Sequence, residues 1–197
     1  MKKGSKRNLL AVLSVLIGVA IATYYADFGQ KPPISAPAPS ISLQNAPFEA
    51  AAAPDFTLKD MNGHERTLAE FRGKFVILNF WASWCAPCIK EFPHFLKIAR
   101  EYPEKLVFLG VSSDFNDAAM GRFLDKMKAA HPAAMAQDNV VILPDPQQKI
   151  TLDLFQTMRL PETILIDANG AMRDKIIGAD WDYEDLLNKL ESLGFSK

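Results

Sequence analysis

Hydrophobic and polar positions divide this 197-residue chain into three stretches of different character. Positions 9–26, LLAVLSVLIGVAIATYYA, are uncharged and almost wholly apolar, and positions 28–53 show no apolar periodicity. From 54 to 197 short apolar runs alternate with amphipathic ones. There, 56–58 and 64–67 flank the turn signal Asp60-Met61-Asn62-Gly63 and predict a hairpin. Positions 75–81, FVILNFW, form a nearly continuous apolar run of strand length, as expected of a strand covered on both faces. A helix is predicted over 85–100. Pro87 falls in its first turn, where a missing N–H is harmless, and Pro93 lies inside it, where a kink is expected. Positions 106–111 predict a strand, 118–130 a helix and 140–143 a short strand, while 150–155 read as helical if anything. Strands at 163–167 and 172–177 meet across Ala168-Asn169-Gly170, a hairpin signal, and 181–193 closes the chain as an amphipathic helix. Strand–helix–strand followed by strand–strand–helix describes an α/β domain with a mixed sheet.

Charge sharpens the reading of the first two stretches. Lys2, Lys3, Lys6 and Arg7 precede the apolar run, so residues 1–27 are expected to be a signal-anchor. Eighteen residues are at the lower limit for a helix that spans a bilayer. Basic residues before the run and few after it place the N-terminus in the cytoplasm and the body outside. Tyr24 and Tyr25 at the end of the run suit the membrane–water interface. The same stretch also fits a cleaved signal that releases a soluble body, with 9–20 as its apolar core and Ala20-Ile21-Ala22 as a small-x-small site. Residues 28–53 hold Pro32, Pro33, Pro37, Pro39 and Pro47 among many Ala and Ser, the composition of a semi-extended tether. The globular body is expected at 54–197. Beyond residue 31 the chain carries 17 basic against 22 acidic side chains, and a mildly acidic body argues against a nucleic-acid partner.

Candidate chemistry centres on Cys85 and Cys88, the only two cysteines, in Trp84-Cys85-Ala86-Pro87-Cys88. They follow a predicted strand and open a predicted helix, which favours a redox-active dithiol over half of a zinc site, since no second pair exists to complete one. Cys85 at the helix N-terminus meets unpaired N–H groups and the positive end of the dipole, so its pKa is expected below the ordinary value of about 8.5. Cys88, one turn in, is expected to be more buried and to act as the resolving thiol. Pro87 keeps the first turn rigid, and Trp84 is expected to shield one side of the pair. A structural disulfide is the blander alternative, but so short a loop closes too little chain to stabilise a fold much. His64, His94 and His131 are scattered, and no three ligands converge on a metal. Met158 reads as packing rather than as a soft-metal ligand, and Phe92, Phe95 and Ile98 read as core.

The segments Pro54-Asp55-Phe56, Gly73-Lys74, NFWASWCAPC, Glu91-Phe92-Pro93, Leu160-Pro161-Glu162-Thr163 and Ile166-Asp167 together resemble the thioredoxin superfamily. More narrowly they resemble its membrane-anchored periplasmic thiol-disulfide reductases of the TlpA/ResA/CcmG group. The resemblance implies a thioredoxin-like fold: a mixed sheet flanked by helices, an N-terminal hairpin, and a central α/β insertion within 112–150. It makes Pro161 the family's cis-proline, facing the cysteines, with Leu160 offering its backbone to an extended substrate; from sequence alone a trans bond is the default. Asn79 stands where cytosolic thioredoxins have a buried Asp that assists proton transfer, so that assistance must come from elsewhere or be absent. Glu91 matches the group's active-site Glu, implicated in tuning cysteine acidity; an exposed helix charge beside Lys90 is the alternative. Arg159 and Glu162 flank Pro161 and either select substrates by charge or simply occupy the surface.

The implied activity is that of a protein disulfide reductase acting through Cys85, Cys88 and Glu91, with Ala86 and Pro87 completing the motif and no cofactor beyond the disulfide. The resemblance further implies a body in the periplasm of a bacterium, held at the inner membrane, and a monomer is expected. Its clients would be apocytochrome c or copper-site assembly proteins, its electrons supplied by a membrane thiol carrier. A thiol oxidase or isomerase is the nearest rival. A non-enzymatic Cu(I) dithiol carrier is another, because two thiolates suffice for that ion. A peroxiredoxin is more distant, since the Pro-x-x-x-Thr-x-x-Cys context of its reactive Cys is lacking.

Overall fold

The computed structural model describes residues 16, 17, 19, 21–24 and 51–197. The expected anchor (1–27) and tether (28–53) therefore lie largely outside the described residues. The seven described residues of the first stretch are helical, with Thr23 Oγ1 donating to the Val19 carbonyl at 3.1 Å. Among the described residues no helix is long and apolar enough to cross a membrane.

The body runs β1 (Ala51–Ala52), β2 (Thr57–Lys59), β3 (Glu65–Thr67), β4 (Phe75–Trp81), α1 (Ala86–Glu101), β5 (Leu106–Ser112), α2 (Asp117–Ala130), α3 (Pro132–Met135), β6 (Val140–Pro144), β7 (Glu162–Ile166), β8 (Ala171–Ile177) and α4 (Tyr183–Ser192). A 3-10 turn spans Leu68–Phe71, and a π-helical turn spans Lys149–Leu154. Six strands form one sheet in the order β1-β8-β7-β4-β5-β6, and β2 and β3 pair apart as the predicted hairpin. Helical crossovers make β4, β5 and β6 parallel. The tight turn at Asn169-Gly170 makes β7 and β8 antiparallel, and β7 also pairs antiparallel with β4. The sheet is mixed and the fold is thioredoxin-like α/β.

Successive side chains of β4 point to opposite faces. Ile77 and Trp81 join a core with Phe92, Phe95 and Leu96 of α1, while Val76, Leu78 and Phe80 join a second core with Phe56, Phe71 and Phe155. Asn79 shares the parity of Ile77 and Trp81, so it faces α1. Opposite Asn79 in the register sits Gly110 of β5, whose missing Cβ leaves room for Trp81 Nε1 and Ile142 Cδ1, each 3.1 Å from where that atom would stand.

Several elements depart from the sequence reading. The folded body takes in residues before Pro54: Ala51 and Ala52 pair with Met172 and Ala171, and the Ala53 N–H donates to the Gly170 carbonyl at 3.0 Å. The central α/β insertion expected within 112–150 is present as α2, α3 and β6, and β6 joins the main sheet beside β5. Trp181 precedes the last helix, because Asp182 caps it by accepting the Glu184 and Asp185 N–H groups. Met158 is not packing, since 85% of it is exposed.

Candidate active site

The apolar run of β4 ends at Trp81, and a short loop carries the chain to α1. Asp114, just past the end of β5, holds that loop. Its carboxylate accepts the Ser83 N–H at 2.8 Å and the Ser83 and Ser112 hydroxyls at 2.7 Å each, and it is buried. Sequence reasoning passed over this residue. The signal was the polar triplet Ser112-Ser113-Asp114 closing an apolar strand, at the C-terminal end of a parallel pair where α/β sites gather.

Cys85 caps α1, and its Sγ accepts the Cys88 N–H at 3.3 Å. The two sulfurs are joined as a disulfide, with Cα atoms 5.3 Å apart. Cys85 keeps 6% of its surface exposed and Cys88 none. A sulfur at a helix N-terminus that receives a backbone N–H is stabilised as an anion, so the outer position favours thiolate in the dithiol form. Ala86 and Pro87 form the first turn, and Pro87 removes an N–H with no helical partner. Trp84 stands out into solvent, 62% exposed.

Glu91 lies three residues after Cys88 and thus on the same face of α1. It is 2% exposed, which rules out a solvated helix charge beside Lys90. Its Oε1 accepts an N–H from Asn79 Nδ2 at 2.8 Å, and the same amide donates to Thr163 Oγ1 at 3.0 Å. Burial pushes the Glu91 carboxyl from 4.5 up to about 8, against the smaller opposing pull of the Asn79 amide and then of the Trp181 indole. That indole N–H points at the Gly178 carbonyl, 3.2 Å away, and Glu91 Oε2 has no donor of normal geometry. The amide at position 79 therefore serves the carboxyl at 91.

The Leu160–Pro161 bond is cis. Pro161 is buried, with its carbonyl accepting the Gly178 N–H at 2.9 Å, while Leu160 is half-buried and touches both cores. The flanking charges behave differently from the expectation. Glu162 is buried, accepting from Thr157 Oγ1 at 2.6 Å and from Lys175 Nζ at 2.9 Å, so it is committed within the fold. Arg159 is exposed. His94 packs near Trp181, ring centroids 5.8 Å apart, and among the described residues no three His, Cys, Asp or Glu side chains converge to hold a metal ion.

Comparison with known proteins fits this geometry. Residues 50–175 match the model of the AhpC/TSA family. Over 184 residues the chain is 31% identical to the thiol-disulfide oxidoreductase ResA of Geobacillus kaustophilus, covering 93% of this chain and 92% of that protein. A thiol:disulfide interchange protein DsbE from Chlorobium tepidum superposes with a TM-score of 0.61 at 25% identity, covering 74% of this chain and 95% of that one. The exposed lipoprotein thioredoxin of Streptococcus pneumoniae gives 0.56 at 28% identity, covering 71% of this chain and 99% of its own. These matches run across the sheet, the cysteine helix and the proline loop, and on them the chain belongs to the AhpC/TSA family as one of its thioredoxin-like, ResA-type thiol-disulfide oxidoreductases.

Proposed function

We propose that the chain is a membrane-tethered reductant of disulfides in proteins outside the cytoplasmic membrane, with Cys85 attacking and Cys88 resolving. The asymmetry of the pair carries this reading: the outer sulfur caps the helix and the inner one is fully buried beneath it. The Cys85 thiolate attacks one sulfur of a client disulfide, whose other sulfur leaves as a thiolate. Cys88, deprotonated, then attacks Cys85 Sγ in the mixed disulfide and expels the second client sulfur. Two electrons pass to the client, and the enzyme is left as its disulfide. Glu91 handles the proton of Cys88. A carboxyl titrating near 8 is close to the roughly 8.5 of an ordinary thiol, so passing a proton between them costs little. Trp84, Leu160 and Pro161 would line the place where the client lies.

Residues 1–27 serve as the anchor, most of 28–53 as the tether, and the remainder as the catalytic body, with the N-terminus in the cytoplasm of a bacterium and the body in the periplasm. Four basic side chains ahead of the apolar run support that orientation, and the name of the pneumococcal relative supports an exposed location. Clients are proteins whose cysteines must be reduced before metal or haem insertion, such as apocytochrome c or copper-site assembly proteins. A membrane thiol carrier returns the electrons, and the body works as a monomer.

The equilibrium reduction potential of the full chain tests the direction. A value near the roughly −270 mV of thioredoxin, or lower, is expected; one near the roughly −120 mV of a strong oxidant overturns it. Cys88→Ser should accumulate clients as mixed disulfides on Cys85. A folded variant that traps none removes the two-step scheme, and stoichiometric copper without disulfide reduction would favour a metal carrier.

A further inference from the structure

A groove opens beside Trp84, lined among others by Gln148, Leu152, Met158, Arg159 and Leu160. Three of these apolar side chains are turned outward: Trp84 is 62%, Leu152 40% and Met158 85% exposed. Large apolar groups so exposed in one place mark an interaction surface rather than a fold requirement. The backbone of Met158, Arg159 and Leu160 makes no hydrogen bond to any described residue, in contrast to Thr157 and Pro161 on either side, which are tied to Thr151 and Gly178. A run of backbone left unpaired in this way is free to take up a client peptide through main-chain hydrogen bonds.

Among the described residues, Arg159 is the one charged residue lining this groove. Its guanidinium lies alongside Gly178, and it forms no ion pair or side-chain hydrogen bond with any described residue. The carboxylate nearest in sequence, Glu162, is buried and paired with Lys175 and Thr157, so it neither neutralises Arg159 nor reaches a client. The cation is held in a body with more acidic than basic side chains, in a groove that Trp84, the chain neighbour of Cys85, also lines.

We infer that Arg159 is a specificity-determining residue. It favours client segments that lie extended along Met158–Leu160 and place a carboxylate next to the cysteine under attack, with apolar side chains on Trp84, Leu152 and Met158. The inference rests on the reductant reading above. An exposed cation acts on such a client mainly through encounter and through a solvent-screened ion pair, so the preference is modest and salt-dependent.

Three peptides that differ only in Glu, Gln or Lys beside one cysteine of an intramolecular disulfide provide the test. The full chain is reduced beforehand, freed of reductant and mixed with each, and the second-order rate of peptide reduction is read. At low salt the order Glu, Gln, Lys is expected, with about two- to five-fold between neighbours. The spread should shrink near about 0.5 M salt, flatten in Arg159→Gln and invert in Arg159→Glu. Equal rates for all three peptides in wild type and in Arg159→Glu overturn the inference alone. A chain that reduces none of the peptides overturns the reductant reading and this inference with it.

Discussion

Glu91 is buried with the Asn79 amide donating to its Oε1, and its raised pKa has a sign that can be checked. Folded, the carboxyl titrates near 8; unfolded, it returns to 4.5. Between these values the unfolded chain has released a proton that the folded one keeps, so this group's contribution to stability is greatest below about 4.5 and is lost as pH rises toward 8. The loss is on the order of a few kcal/mol. Glu91→Gln removes the titrating group. Urea titrations at pH 5 and pH 8 should therefore show the variant gaining on wild type at the higher pH, and an equal difference at both would refute the raised pKa. Asp114 is a contrasting buried carboxylate. All its contacts are donors, from Ser83 and Ser112, and its job is to pin the loop that delivers Cys85.

Strand β4 shows at the level of an element why some features were legible and others not. Its apolar run spelled out a doubly covered strand, and the cysteines after it spelled out a helix start, because both depend on neighbours in the chain. Glycine at 110 gave no such sign: its need arises across the sheet, where Trp81 and Ile142 crowd the missing Cβ. Gly110→Ala should cost about 1–3 kcal/mol by overpacking, seen as a lower Tm; an unchanged Tm would mean that the strands part at no cost. Strand β1 was invisible for the same kind of reason, since two alanines have little strand preference and pair only because β8 presents an edge. The π-helical turn at Lys149–Leu154 depends on the Asp145 carboxylate accepting the Ile150 and Thr151 N–H groups, a contact that 150–155 do not announce. Within the candidate site, the cysteines and Pro161 were legible from motif, whereas the commitment of Glu162 and the exposure of Met158 depend on which way side chains turn in the fold.

Across the whole body one sheet separates two cores, and the strand at its start belongs to the folded unit. A chain beginning at Pro54 loses the β1 pairing and the Ala53–Gly170 hydrogen bond, so it should be less stable than one beginning at Ala51 by about 1–2 kcal/mol. Equal urea midpoints would show that β1 only decorates the edge. The three tryptophans sample this architecture at three depths. Trp81 is sealed between Phe92 and Phe123, Trp181 is half-buried against Phe95 with its indole pulling weakly against the raised Glu91 carboxyl, and Trp84 stands in solvent next to Cys85. A disulfide quenches the emission of an adjacent indole, and a pair of thiols quenches it less. The exposed ring beside the first cysteine thus makes the chain its own optical indicator, whose brightness follows the redox state of the pair without any label attached.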